Sequence, residues 1–162
     1  MLNLILAMET VNASFKRIIY LRHALWEANV LKREHREENK HPGALKEIKL
    51  NPEFIDSPIH AQGVEQIEIL KEVFSKENIQ ICLISPLRRA MTTCLESMSA
   101  HPQFKEIKFI IHPFLKGGIA GFMDIPSMSL EVLRNEYEEK YGVKIDIADE
   151  ELSTFRDWKK GL

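Results

Sequence analysis

Arg22 and His23 stand side by side, directly after the apolar run Ile18-Ile19-Tyr20-Leu21. Arginine carries a planar fork of N–H donors that fits a phosphate group. Histidine carries a ring nitrogen that is largely neutral near pH 7 and can act as a nucleophile. Cleaving a phosphate monoester takes a nucleophile in line with the leaving oxygen, fixed positive charge around the other oxygens, and an acid for the leaving group. Arg22 and His23 supply two of these three. Taken alone, the pair reads as the solvated end of an ordinary strand, because Arg-His is a common dipeptide. Strand ends are nevertheless where open α/β sheets gather their ligands.

Further residues follow at fixed distances. Asn29 lies six positions after His23. The run Asp56-Ser57-Pro58-Ile59-His60-Ala61-Gln62-Gly63-Val64-Glu65-Gln66 comes next. Then the apolar stretch Ile79 to Ile84 leads into Ser85-Pro86-Leu87-Arg88-Arg89-Ala90-Met91-Thr92-Thr93. Together these three stretches, in this order, resemble the histidine phosphatase superfamily, the phosphoglycerate-mutase-like group. The resemblance covers roughly residues 17 to 127. It implies that His23 is the nucleophile and becomes phosphohistidine. It implies that Arg22 and Arg89 bind the transferred phosphoryl group, with Asn29 and Ser85 as secondary contacts. Arg89 is chosen over Arg88 because the arginine of the motif directly precedes alanine, here Ala90; the plain alternative is that Arg89 pairs with a surface carboxylate at the start of its helix. No cofactor and no metal is implied.

The chain departs from the pattern in two places. Where the family carries an acid, usually Glu, in the loop after the third strand, this chain aligns Gly117; Asp124 is the nearest carboxylate that could substitute. The family's second histidine, on a late strand, has no counterpart, since no histidine follows His112, and His112 precedes Pro113 within a turn. Two explanations follow: a truncated product without its last strand and helix, or a divergent member that binds phosphate without efficient turnover. The expected activity is therefore metal-independent phosphomonoester hydrolysis through His23 on a phosphorylated small molecule or phosphoprotein. The alternative is a non-catalytic phosphate-binding or scaffold module of the same fold. A nucleotide-binding α/β domain is disfavoured, because no Gly-x-Gly-x-x-Gly or P-loop element follows the first strand.

These residues need strands and helices to hold them. Apolar periodicity predicts strands at about 17–21, 79–84 and 107–111, the second nearly continuous, as when helices cover both faces. Helices are expected over 25–40, 61–76 and 87–99, with Val64, Ile67, Leu70, Val73 and Phe74 facing the sheet from the second of these. His60 replaces the threonine that usually caps that helix, so its cap is weaker or comes from another group. The charged stretch 32–41 reads as a solvated face. Residues 44–57 form an excursion without periodicity, and 112–126 a Gly-rich loop. Ser127 or Ser129 caps a helix carrying Leu130, Leu133, Tyr137 and Tyr141 and ending at Gly142. Residues 143–147 read as a short extended piece and 150–160 as a last helical turn or two, anchored by Phe155 and Trp158. The alternation predicts an α/β three-layer sandwich with a mostly parallel central sheet flanked by helices.

With 162 residues, 44% of them apolar, the chain fits a tail over 1–16 and one domain over 17–162. A formal charge of −2 offers no argument for nucleic acid. No apolar run is long enough to cross a membrane. Cys82 and Cys94 form no metal spacing and read as small buried hydrophobes, so a cytoplasmic setting is expected. The apolar stretch Leu2 to Met8 reads first as a frayed tail.

Overall fold

The computed structural model describes residues 17–38, 43–116 and 121–148. Three short strands, β1 (Ile81–Ile84), β2 (Lys108–Ile111) and β3 (Ile145–Ile147), form one parallel sheet in the order β1-β2-β3. The helices are α1 (Glu27–Glu37), α2 (Ala44–Lys49), α3 (Ala61–Phe74), α4 (Arg88–Met98) and α5 (Leu130–Tyr141). Helix α4 links β1 to β2 and α5 links β2 to β3. Right-handed crossovers that all advance in one direction along a sheet put their helices on one face. The core lies on that face. Ile84, Phe109, Ile111 and Ile145 of the sheet meet Leu70 and Phe74 of α3, Met91, Leu95 and Met98 of α4, and Leu130, Leu133 and Tyr137 of α5.

Each helix starts and stops for a local reason. His60 caps α3 itself: its ring Nδ1 accepts from the Gln62 backbone N–H at 3.2 Å. The histidine thus replaces a hydroxyl in kind, as an acceptor for an orphan N–H. Ser129, not Ser127, caps α5 by accepting from Val132 N–H at 3.3 Å. Gly142 ends α5 with φ of 62°, the left-handed conformation in which a side chain is strained.

Several expectations are corrected. Residues 17–21 form no strand; Ile19 and Leu21 still pack against the core, while Ile18 and Tyr20 are exposed. Alternating burial is what the apolar pattern encoded, and burial does not require a hydrogen-bonded ladder. The sheet is also not covered on both faces among the described residues: Ile81 and Leu83 of β1 remain 58% and 57% exposed. These apolar side chains mark the side of the sheet that stays open among the described residues. Val64 and Val73 face outward as well, so the buried stripe of α3 is Gly63, Ile67, Leu70 and Phe74. The excursion at 44–57 contains α2 and a 3₁₀ turn at Pro52–Phe54. His35 lies buried within the supposedly solvated stretch of α1. The loop after β2 holds 3₁₀ turns at Pro113–Lys116 and Phe122–Asp124. The tail over 1–16, Gly117 and the helical turns expected at 150–160 lie outside the described residues.

Gly63 shows how closely the chain is drawn together at the start of α3. A Cβ there would sit 2.1 Å from the Leu25 carbonyl oxygen and 2.7 Å from Ile59 Cγ2. Gly63→Ala therefore forces backbone against backbone. It is expected to cost about 1–3 kcal/mol, as overpacked cores do, read as a lowered melting temperature.

Candidate functional site

The backbone after Leu21 is held by side chains from two helices. Ala24 N–H donates to Thr93 Oγ1 at 2.9 Å, and Leu25 N–H donates to Gln66 Oε1 at 2.9 Å. The Leu25 carbonyl accepts from His60 N–H at 3.0 Å, and Trp26 forms an antiparallel bridge with Ile59. Gln66 and Thr93 therefore tie the Arg22-His23 turn to α3 and α4. A loop bound on both sides in this way keeps its side chains in place without belonging to a sheet.

The His23 ring is fixed in tautomer as well as position. Its Nδ1 lies 2.9 Å from the Ala24 carbonyl oxygen. A carbonyl can only accept, so Nδ1 carries the hydrogen and the Nε2 lone pair is left for another partner. Burial lowers the pKa of His23 below 6.5; the charges of Arg89 and Arg22 push the same way, against the Ala24 carbonyl and Asp124. The ring is accordingly neutral near pH 7, as a nitrogen nucleophile must be.

Trp26 is the hub of the site. The His23 ring meets it edge-on, centroids 5.8 Å apart. The Arg89 guanidinium carbon lies 4.0 Å from its centroid and the Lys32 ammonium 5.5 Å from it. With Ala28 and Met123, Trp26 forms a second small apolar cluster beside the main core. The ring thus brings the end of the 17–23 segment, α1 and α4 around one surface.

The structure separates the two arginines clearly. Arg88 turns outward and pairs with Glu136 at 3.0 Å. Arg89 turns inward: Nη1 donates to the Met123 carbonyl at 2.7 Å and Nη2 to Asp124 Oδ1 at 2.9 Å. Burial lowers its pKa, and Asp124 works against that. The surface pairing weighed for Arg89 from the sequence is the one Arg88 makes.

Asp56 decides where Arg89 and Asp124 stand. Its carboxylate is 2% exposed and accepts from Arg88 N–H at 2.8 Å, Ser127 N–H at 3.2 Å and Ser127 Oγ at 3.1 Å. The first bond caps α4 from outside the helix, since Leu87 brings no side-chain cap. The others anchor the segment that contains Met123 and Asp124. Asp56 adopts φ of 45°, a conformation that aspartate tolerates better than most residues.

The structure thus brings His23, Arg89 and Asp124 together, and Arg22, exposed, lies near enough for its charge to act on His23. Asn29 sits half-buried in the first turn of α1. Ser85 sits just after β1, its buried hydroxyl without a hydrogen-bond partner among the described residues. Neither makes a side-chain hydrogen bond to His23, Arg22 or Arg89 among the described residues. The site residues that sequence reasoning missed are Trp26, Lys32 and Asp56. Asp56 and Thr93 stood within quoted motifs, so their position was a signal; Lys32 read as part of a solvated face, and nothing in the pattern singled out Trp26.

The family model of the histidine phosphatase superfamily (branch 1) matches residues 49–141. More than half of the chain lies within that match, and the protein belongs to the histidine phosphatase superfamily. The match includes Asp56, Gly63, Gln66, Ser85, Arg89 and Thr93; Arg22, His23 and Asn29 precede it. Comparison with curated proteins and with solved structures gives no match. No helix among the described residues is long and apolar enough to cross a membrane.

Proposed function

We propose that this protein hydrolyses phosphate monoesters through a phosphohistidine on His23, acting on a phosphorylated small molecule or phosphoprotein in the cytoplasm. The observation that carries this reading is the bond from His23 Nδ1 to the Ala24 carbonyl, which leaves Nε2 as the nucleophilic atom beside Arg89. Nε2 attacks phosphorus, a P–N bond forms and the ester P–O bond breaks. Arg22 and Arg89 hold the non-bridging oxygens, and Asn29 and Ser85 flank them. Arg89 exchanges its carboxylate partner for the phosphoryl oxygens. Asp124, released beside the bound dianion, takes up a proton and passes it to the leaving oxygen. Water then attacks phosphorus and gives a proton to the Asp124 carboxylate, the P–N bond breaks with its electron pair returning to Nε2, and phosphate leaves. In this reading the open face of the sheet, with Ile81 and Leu83, is the side of the second helical layer of a three-layer sandwich.

A second reading has its own support. Both Nη groups of Arg89 are engaged by Met123 and Asp124. A module that binds phosphate weakly and does not turn it over fits that arrangement. Incubation with 4-nitrophenyl phosphate, together with thermal denaturation with and without orthovanadate, separates the two. Turnover with vanadate protection is the expected result. Protection without turnover selects the non-catalytic module, and the absence of both overturns either reading.

A further inference from the structure

Cys82 and Cys94 are the chain's two cysteines, and both are free thiols. The sequence reads them as small buried hydrophobes with no bearing on one another. The fold places them at one interface. Ile81 and Leu83 point to the open side of the sheet, so alternation along β1 turns Cys82 and Ile84 to the side that α4 covers. On α4, Cys94 lies one turn after Ala90 and one turn before Met98. Cys82 from the strand and Cys94 from the helix pack against the same core. There the Cys94 thiol donates a hydrogen bond to the Cys82 sulfur.

This contact gives the two sulfurs different chemistry. It lowers the pKa of Cys82 from its ordinary value of 9.0, against the opposing effect of burial. It raises the pKa of Cys94, and burial acts the same way there. The thiolate is the nucleophilic form, so Cys82 is the sulfur that attacks first. Cys82 is also half-buried rather than sealed off, which leaves a path for a small oxidant. An ionisable, accessible cysteine with a second cysteine beside it can close to a disulfide before oxidation goes further.

We propose that Cys82 and Cys94 form a redox-sensitive latch: a hydroperoxide oxidises them to a disulfide that ties β1 to α4, and a thiol reductant reopens it. The Cys82 thiolate attacks one peroxide oxygen and the O–O bond breaks. The leaving oxygen takes up the proton that Cys82 released and departs as water or an alcohol. Cys82 then carries a sulfenic acid. The Cys94 sulfur attacks the Cys82 sulfur, the S–O bond breaks, and the hydroxyl leaves as water with the Cys94 proton. Two thiols have lost two hydrogens and one peroxide has been reduced; exchange with a dithiol returns them. The segment enclosed by the bond carries Ser85 and Arg89, and Cys94 directly follows Thr93, which holds Ala24 N–H. The latch therefore fastens the helix on which the candidate site is built, while its closure does not depend on the phosphate reading of that site.

The test treats the full, reduced chain with stoichiometric hydrogen peroxide, with and without later dithiothreitol. Both thiols are expected to disappear from a chain that stays single on a non-reducing gel, with loss of two hydrogens in the intact mass, and dithiothreitol restores them. The oxidised chain melts at least about 4 °C above the reduced one, as a bridge across a short loop does. In Cys94→Ala the reaction stops at a sulfenic acid on Cys82, trapped by dimedone, and in Cys82→Ala the Cys94 thiol survives. Serine at either position is the second variant should alanine not fold. Surviving thiols in the wild type, cross-linking between chains, oxygen added in place of hydrogen lost, or a melting temperature that does not rise overturns the latch. Dimedone on Cys94 instead of Cys82 overturns the order of the two sulfurs.

Discussion

His23→Ala reduces turnover of an aryl phosphate by at least about a thousandfold, the scale seen when a covalent nucleophile is removed. The variant retains Arg22 and Arg89, so vanadate still protects its fold against heat. The separation of the two effects follows from the geometry. Arg89 is held by the Met123 carbonyl and Asp124, and none of its hydrogen bonds depends on the imidazole. Rapid acid-free quenching of the wild type after mixing with substrate should trap a phosphoryl group that is labile to acid and stable to alkali, absent from the variant. The pH profile carries a second signature. Burial, then Arg89 and Arg22, keep the ring neutral below its ordinary pKa of 6.5. The acid limb of kcat/KM therefore falls below pH 6.5, and Arg22→Ala moves it upward by removing one of the opposing charges. Equal rates for the wild type and His23→Ala would remove His23 from the reaction.

Asp56→Ala destabilises the protein by about 3 kcal/mol or more, a fall in melting temperature of about 6–12 °C for a domain of this size. The substitution removes the acceptor of two part-buried bonds, from the N–H groups of half-buried Arg88 and exposed Ser127, at about 1 kcal/mol each. Alanine also tolerates the φ of 45° less well than aspartate does, by about 1 kcal/mol. The damage reaches the site, because one bond starts α4 just before Arg89 and the other holds the segment carrying its two acceptors. Activity is thus expected to fall at temperatures where the variant is still folded. Asp56→Asn keeps an acceptor and tolerates the same backbone conformation, and loses less. The pH dependence separates the two roles of the carboxylate. Burial raises the pKa of Asp56, partly offset by the bonds from Ser127 and Arg88. A raised value means that the folded chain holds the proton where the unfolded chain has released it. Asp56 therefore makes stability fall as pH rises from about 3.8 through the raised value. Asp56→Asn removes that slope. A flat difference between the wild type and Asp56→Asn across this window would show that the carboxylate does not titrate there.

Both expectations grew from residues legible in the chain, but to different depths. The choice between Arg88 and Arg89 came from the motif, whose arginine directly precedes alanine; adjacent helical residues point about 100° apart, and the structure turns Arg89 inward. Gln66 and Thr93 stood in the motifs without a stated task, and the structure assigns them the backbone N–H groups of Leu25 and Ala24. Asp56 stood in a motif without a stated task, since a sequence does not show the two distant N–H groups from which its carboxylate accepts. Lys32 was lost in a run of charges.

The sequence by itself determined the alternation of strands and helices from residue 61 onward, the inward stripe of α5 and its end at Gly142, and the list of groups able to handle phosphate. These are properties of single elements, set by periods of 2 and 3.6 and by the chemistry of each side chain. Tertiary structure alone decided that 17–21 would pack without pairing and that one face of the sheet would stay open among the described residues. It alone decided that a tryptophan would gather His23, Arg89 and Lys32 around its ring. Those outcomes depend on which segments meet across loops, and no pattern of residues within one segment carries that information.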